Sequence, residues 1–193
     1  MGDDGLALPF PHRIASVLRP VARRVPVRFM HGNRDFLVAQ GFARATGAEI
    51  IDDPAQVDLY GVRALLMHGD TLCTDDAAYQ SFRAQVRDPA WQRVALARPL
   101  DERIELAKAM RLQSEGAKQG KAMDIMDVSA SAVESAFEES GCDVLIHGHT
   151  HRPGRHSYQV GGRERVRWVL PDWYDGGGYL EASPEGIRAI AAV

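Results

Sequence analysis

Apolar residues come in short bursts whose spacing alternates between two periods. Val25 to Met30, with Pro26 near its start, reads as a strand, and Val62 to Met67 and Val144-Leu145-Ile146 read as two more. Each burst is four to eight residues or shorter and closes on a glycine-bearing turn, the signature of a buried strand. Between them the period changes to that of a helix. Phe36 to Thr46 is bounded by Gly47, a residue suited to the left-handed position past a helix end. Thr74 is a candidate N-cap, with Asp75 and Asp76 favourable in the first turn and Tyr79, Phe82 and Val86 on one face. Ser129 opens a further helix with Ala130, Val133 and Phe137 inward, and Gly141 ends it. The C-terminal part is β-rich. Gly161-Gly162 joins Ser157 to Val160 with the alternating Val166 to Leu170, and Tyr179-Leu180 and Ile187 to Val193 flank Ser183-Pro184-Glu185-Gly186.

From about Arg87 to Asp127 no strand pattern occurs. Pro89, Pro99, Gly116 and Gly120 punctuate short amphipathic helices. We read residues 79–127 as a helical insertion in a single domain of residues 1–193, either a lid over the site or a cover for a sheet face. Strands alternating with helices, followed by a β-rich end, predict an α/β fold of two packed mixed sheets with outer helices.

Composition narrows the setting. The chain has 193 residues, 45% hydrophobic and 25% charged, enough for one core. A net charge of −3 argues against general nucleic-acid binding. Basic residues are nevertheless clustered: Arg19, Arg23, Arg24 and Arg28 early, and Arg83 through Lys121 in the middle. These runs are solvated helix faces, or a surface that meets an anionic lipid or a phosphate-rich substrate. Two cysteines, Cys73 and Cys142, make no disulfide framework, and a reducing cytoplasm fits. The acidic start Met1-Gly2-Asp3-Asp4 lacks the basic region of a signal peptide, and no apolar run reaches the length of a membrane span. Membrane contact is therefore expected to be peripheral.

The candidate chemistry sits where strands end. His31-Gly32-Asn33-Arg34-Asp35, His68-Gly69-Asp70 and His147-Gly148-His149-Thr150-His151 each follow an apolar run. In extended chain, residues i and i+2 share a face, so the last segment is predicted to present a row of imidazoles. His, Asn and Asp together suit a borderline or hard divalent cation such as Mn²⁺, with Zn²⁺ and Fe²⁺ as alternatives. No Cys-x-x-Cys pair occurs, which removes a thiolate zinc site. Asn33, His68, His149 and His151 are the strongest metal ligands, with His31 and His147 as alternates that serve around the site or in the core. Asp35 and Asp70 are candidates to orient ligands or water, and Arg34 to hold a phosphate bidentately.

Longer stretches carry a resemblance. His31 to Leu37, Met67 to Asp76, Ile125-Met126-Asp127-Val128 and His147 to Pro153 resemble the calcineurin-like metallophosphoesterases. Within these, they are most similar to the UDP-2,3-diacylglucosamine pyrophosphohydrolase family of lipid A biosynthesis. Arg34 stands where generic members of the superfamily carry histidine, which favours that branch. The resemblance spans essentially all of the chain. It implies hydrolysis of the pyrophosphate of UDP-2,3-diacylglucosamine to UMP and a lipid monophosphate, with Mn²⁺ as cofactor. It implies a cytoplasmic enzyme, peripherally bound to the anionic inner-membrane surface. Asn33, His68 and His149 would bind one ion and His151 the other. Asn33, Arg34, Asp76, Ser114, Lys118, Lys121 and His149 match substrate-contacting positions, with Asn33, Arg34 and His149 closest to the chemistry. Lys118 departs from the family's residue, and Pro171 stands where glycine is usual.

The family pattern also opens with an Asp-x-His strand and a Gly-Asp strand that supply three ligands, including a carboxylate bridging the metals. Neither motif is written in these residues; Gly2-Asp3-Asp4 aligns with the acidic loop just after the second. Two ions clamping a phosphoryl group need about seven ligands, more than the four strong ones here. The expectation is a chain lacking the family's first strands, with at most one well-formed metal site and little or no activity. The competing readings are a phosphoesterase for another nucleotide or phospholipid, a mononuclear hydrolase using Asn33, His68 and His149, and a non-catalytic remnant of the fold.

Overall fold

A computed structural model describes residues 1–118, 127–174 and 176–192. A 3-10 turn over Asp3–Ala7 precedes α1 (Pro9–Ala22), β1 (Arg28–Met30), α2 (Gln40–Thr46), β2 (Glu49–Ile51), β3 (Ala55–Leu59) and β4 (Val62–Met67). A second 3-10 turn, Asp70–Leu72, leads to α3 (Ala77–Arg87), α4 (Pro89–Leu96) and α5 (Leu100–Lys118). Then follow α6 (Ala130–Ser140), β5 (Val144–His147), β6 (Gly154–Val160), β7 (Arg163–Val169), β8 (Gly178–Ser183) and β9 (Gly186–Ala191). This is the α/β class that the hydrophobic pattern predicts. The contacts divide the chain into two compact units: Met1–Asp52 with Ala77–Ala122, and Asp53–Asp76 with Met123–Val193.

In the first unit β1 and β2 pair in parallel, Phe29 opposite Ile50, and α1 packs on α2. The sequence reading misses α1. Prolines at 9, 11 and 20 look like breakers, yet the first two fall in the first turn, where a missing N–H costs nothing. The helical signal was the spacing of Phe10, Ile14, Val17 and Val21, all of which are exposed. The helix predicted from Phe36 begins instead at Gln40. Side chains hold the preceding loop in turns: Gly32 N–H donates to Asp35 Oδ1 at 2.5 Å, and the His31 ring bonds the Val38 carbonyl at 2.7 Å. Gly47 ends α2 with φ of 80°, as its position predicts.

The second unit holds a five-stranded mixed sheet in the order β3-β4-β5-β7-β6. The central strands β4, β5 and β7 are parallel, and antiparallel strands close both edges. Helix α6 covers one face. Val133 and Phe137 join Leu65, Leu145, Cys142, Leu72 and Val160 in a single apolar cluster. Removing that much aliphatic and aromatic surface from water is the main source of stability here. Ser129 caps α6, its hydroxyl accepting from Ala132 N–H, and Gly141 ends the helix with φ of 62°. Gly161 and Gly162, at φ of 60° and 73°, form the tight β6–β7 turn. Strands β8 and β9 form a separate antiparallel hairpin.

The β7 alternation runs opposite to a simple reading of its apolar residues. Arg165, Arg167 and Val169 occupy the fully buried face, while Val166 and Trp168 are half-buried on the other. Arg165 reaches the C-terminal end of α6, donating to the carbonyls of Gly141 (3.1 Å) and Cys142 and pairing with Asp143 at 3.1 Å. A cation there complements the negative end of the helix. Among the described residues no helix is long and apolar enough to cross a membrane.

Candidate metal centre

Strand register brings two of the candidate histidines together. Because β4 and β5 are parallel neighbours with Met67 opposite His147, both strands end at one edge of the sheet. His68 follows the first and Gly148-His149 the second. Gly148 N–H donates to the His68 carbonyl at 3.1 Å, so the two turns are stitched together. His68 N–H in turn donates to Asp53 Oδ1 at 3.1 Å. The His68 and His149 rings lie with centroids 4.9 Å apart at 72°.

The row of imidazoles predicted from period-two alternation does not form. Strand β5 ends at His147, and His149 and His151 have left-handed backbones, φ 64° and 54°. Thr150 N–H bonds the Gly148 carbonyl at 2.8 Å, closing a three-residue turn around His149. Non-glycine residues are uncommon there, and such strain concentrates at functional sites. The turn gives each imidazole its own direction. His149 meets His68. His151 points Nδ1 at Asp172 Oδ2, 3.2 Å away, with the Tyr174 ring centroid at 6.0 Å.

His147 goes inward and is fully buried. Its Nε2 faces Arg167 Nη1 at 2.9 Å and its Nδ1 faces the Gly148 carbonyl at 2.9 Å. Burial above all, with the Arg167 charge beside it, lowers its pKa to about 4, against the opposing bond to Gly148. The ring is neutral and belongs to the core, one of the two roles open to it from the sequence. Burial, followed by the nearby carboxylates of Asp127, Asp70 and Asp76, pushes the Cys73 thiol up to about 12, which disqualifies it as a nucleophile at neutral pH.

Asp127 begins the run into α6 and pairs with Arg152, just past the histidine turn. Burial pushes its carboxyl up. Bonds from Val128 N–H, 2.8 Å from Oδ1, and from Arg152 outweigh this and hold the group below the usual carboxylate range. Asp70 is fully buried in the turn after His68, and Asp76 lies half-buried before α3.

The remaining candidates belong to the other unit. Asn33, half-buried, and Arg34, exposed, follow β1. Arg87 anchors their loop, donating to the Gly32 carbonyl at 3.1 Å and stacking over Phe36 at 5.5 Å. His31 is held by the Val38 carbonyl in the same loop. Ser114 and Lys118 lie on the last turns of α5, and Lys121 falls outside the described residues.

Two imidazoles converging from adjacent strand ends are a sound partial donor set for a divalent cation. Among the described residues, no group of three or more His, Cys, Asp or Glu side chains gathers in a way that could hold one. The donors that converge in the second unit therefore fit part of a coordination sphere. Arg152, Arg167 and Asp172 were missed as neighbours of the histidines. Arg152 follows His151 directly and was open to a reading of spacing. Arg167 and Asp172 reach the site through strand pairing, which leaves no local signal.

No family model matches the chain. It is 45% identical over 201 residues to the UDP-2,3-diacylglucosamine hydrolase of Bordetella pertussis, covering 100% of this chain and 78% of that one. It is 50% identical over 180 residues to the enzyme of the same name from Aromatoleum aromaticum, covering 93% of this chain and 73% of that one. Among solved structures it is similar to an archaeal phosphodiesterase at 15% identity and a TM-score of 0.44, covering 97% of this chain and 78% of that one.

Proposed function

The chain belongs to the UDP-2,3-diacylglucosamine hydrolase family, and from that premise we propose that its sites serve divalent-metal-dependent hydrolysis of the pyrophosphate in UDP-2,3-diacylglucosamine, giving 2,3-diacylglucosamine 1-phosphate and UMP. The observation that carries the metal reading is the convergence of His68 and His149 at the ends of paired strands. Asn33, His68 and His149 would hold one cation; of the candidate ligands His151 alone is left for a second, too few for a well-formed site. Mn²⁺ suits this mixture of imidazole and amide oxygen. A divalent cation in such a site supplies Lewis-acid polarisation of a phosphoryl oxygen and activation of water.

The chain's own residues supply the rest. Arg34, exposed in its loop, binds a phosphate oxygen pair through its planar fork. Asp172 orients the His151 ring through Nδ1, which leaves Nε2 as the nitrogen that could meet a cation. Asp76, Ser114, Lys118 and Lys121 contact the substrate, the lysines as positive charges toward the diphosphate. The neutral core imidazole of His147 takes no part in proton transfer at neutral pH.

Helix α1 exposes the apolar stripe Phe10, Val17 and Val21, with Arg13 beside it and Arg19 and Arg23 elsewhere on the same element, which supports a peripheral seat on an anionic lipid surface. Co-sedimentation with vesicles containing acidic phospholipid, weakened by salt, is the expected result. Equal recovery with zwitterionic vesicles sinks the electrostatic part.

UMP formation from UDP-2,3-diacylglucosamine tests the main reading, with Mn²⁺ present, after chelation, and in His68→Ala and His149→Ala. Metal-dependent UMP formation that both substitutions abolish supports it. Cleavage of a simple phosphodiester but not of the acylated UDP-sugar favours the broader phosphoesterase reading. The competing form is a mononuclear hydrolase that uses Asn33, His68 and His149. Metal stoichiometry decides: at most one ion per chain is expected, and two would overturn that form.

A further inference from the structure

Arginine at a fully buried strand position is costly unless every part of its charge is met by a partner. Arg167 on β7 is 6% exposed, and its guanidinium is spent on two neighbours. Nε donates to the Tyr158 hydroxyl at 3.1 Å, with the cation 5.7 Å from that ring's centroid. Nη1 lies 2.9 Å from His147 Nε2. A guanidinium only donates, so His147 Nε2 accepts and the ring proton sits on Nδ1. Nδ1–H then donates to the Gly148 carbonyl at 2.9 Å.

That carbonyl is the one Thr150 N–H bonds to form the turn around His149. The same ring packs against the other histidine's turn. A Cβ placed on Gly69, immediately after His68, would meet His147 Nδ1 at 2.6 Å. One buried imidazole thus touches both loops, its tautomer dictated by one buried arginine. An apolar pair of equal volume would fill this space without burying a charge. It would not supply the bond to Gly148.

We propose that Arg167 and His147 are positioning residues which, by fixing the His147 tautomer, hold the turns carrying His68 and His149 at their mutual spacing. The inference rests on the reading that these two imidazoles bind a divalent cation. It adds that their geometry is set from within the sheet, before any cation arrives.

The test uses the 193-residue chain and its Arg167→Met and Arg167→Lys variants. Long-range ¹H–¹⁵N correlation of the metal-free protein is expected to show His147 protonated at Nδ1; protonation at Nε2 overturns the proposal. In folded Arg167→Met, judged by circular dichroism and melting, Co²⁺ affinity read from its absorption is expected to fall about tenfold or more, with partial recovery in Arg167→Lys. Unchanged Co²⁺ affinity in folded Arg167→Met overturns it. If Arg167→Met does not fold, Arg167→Lys and the wild-type tautomer decide alone: a wild-type tautomer at Nδ1 with weakened Co²⁺ binding in Arg167→Lys supports the proposal, and unaltered binding refutes it. If the wild-type chain binds no Co²⁺, the metal reading falls by itself. The positioning claim is then judged by the His68–His149 ring-to-ring Overhauser effect, expected to weaken in the variants and contradicted by its persistence unchanged.

Discussion

The Asp3 carboxylate caps a helix that begins far along the chain, accepting the Gly41 backbone N–H at 2.6 Å and that of Ala39 at 2.8 Å. Helix α2 has no capping side chain of its own at Ala39, so a distant aspartate satisfies its first amides. Gly41 is required by the same approach, since a Cβ there would meet Asp3 Oδ2 at 2.6 Å. Asp3→Ala is expected to cost about 1–2 kcal/mol. The check is the urea midpoint together with amide exchange at Gly41 and Phe42. Unchanged exchange at those amides would remove Asp3 from this role.

The neighbouring Asp4 pairs with Arg103 on α5, a residue that is 5% exposed and that also donates through Nε to the Arg98 carbonyl at 3.0 Å. Removing Asp4 leaves that cation buried and short of a partner. Asp4→Ala is therefore expected to destabilise more than the double change Asp4→Ala with Arg103→Met. Denaturation of the three proteins reads this directly.

The pair also sets a pH dependence. The hydrogen bond from Arg103 chiefly holds the Asp4 carboxyl below its ordinary value. A carboxyl depressed in the folded state contributes stability above its unfolded pKa and loses it as pH falls through the folded one. The stability difference between the native chain and Asp4→Asn is expected to be level near neutrality and to shrink below about pH 4. A difference that grows on acidification would contradict the assignment.

Gly69 has a backbone open only to glycine, φ 108°, and no room for a side chain beside His147. Gly69→Ala is expected to cost at least about 1–3 kcal/mol. The His147 ring should shift with it, visible as a changed imidazole resonance.

At His149 the backbone and the side chain make opposed demands. Its left-handed φ of 64° suits glycine, whereas its ring meets His68. His149→Gly is expected to be more stable than His149→Ala by about 1 kcal/mol, with both losing divalent-cation binding. Equal stability of the two variants would mean that the turn carries no strain.

Local physics wrote part of this molecule plainly. Val62 to Met67 as a strand, Ser129 and Gly141 as the bounds of α6, and Gly161-Gly162 as a hairpin turn were all readable. Each depends on periodicity, a cap or a permitted φ within a few residues. The candidate histidines were equally readable as strand-end residues beside glycines, and the long motifs pointed to the family. Their division of labour was not. Alternation put His147, His149 and His151 on one face; His147, still on β5, points inward, and left-handed turns at the last two sent one to His68 and one to Asp172. Arg167 reads as a surface residue in sequence and is buried because β7 lies between β5 and β6 with His147 in reach. Asp3 reads as part of an acidic loop and serves as a cap because α2 lies against the 3-10 turn that carries it. Periodicity and caps are properties of neighbours in the chain. Partners brought together by strand pairing are separated by tens of residues, and nothing in either segment alone records the other.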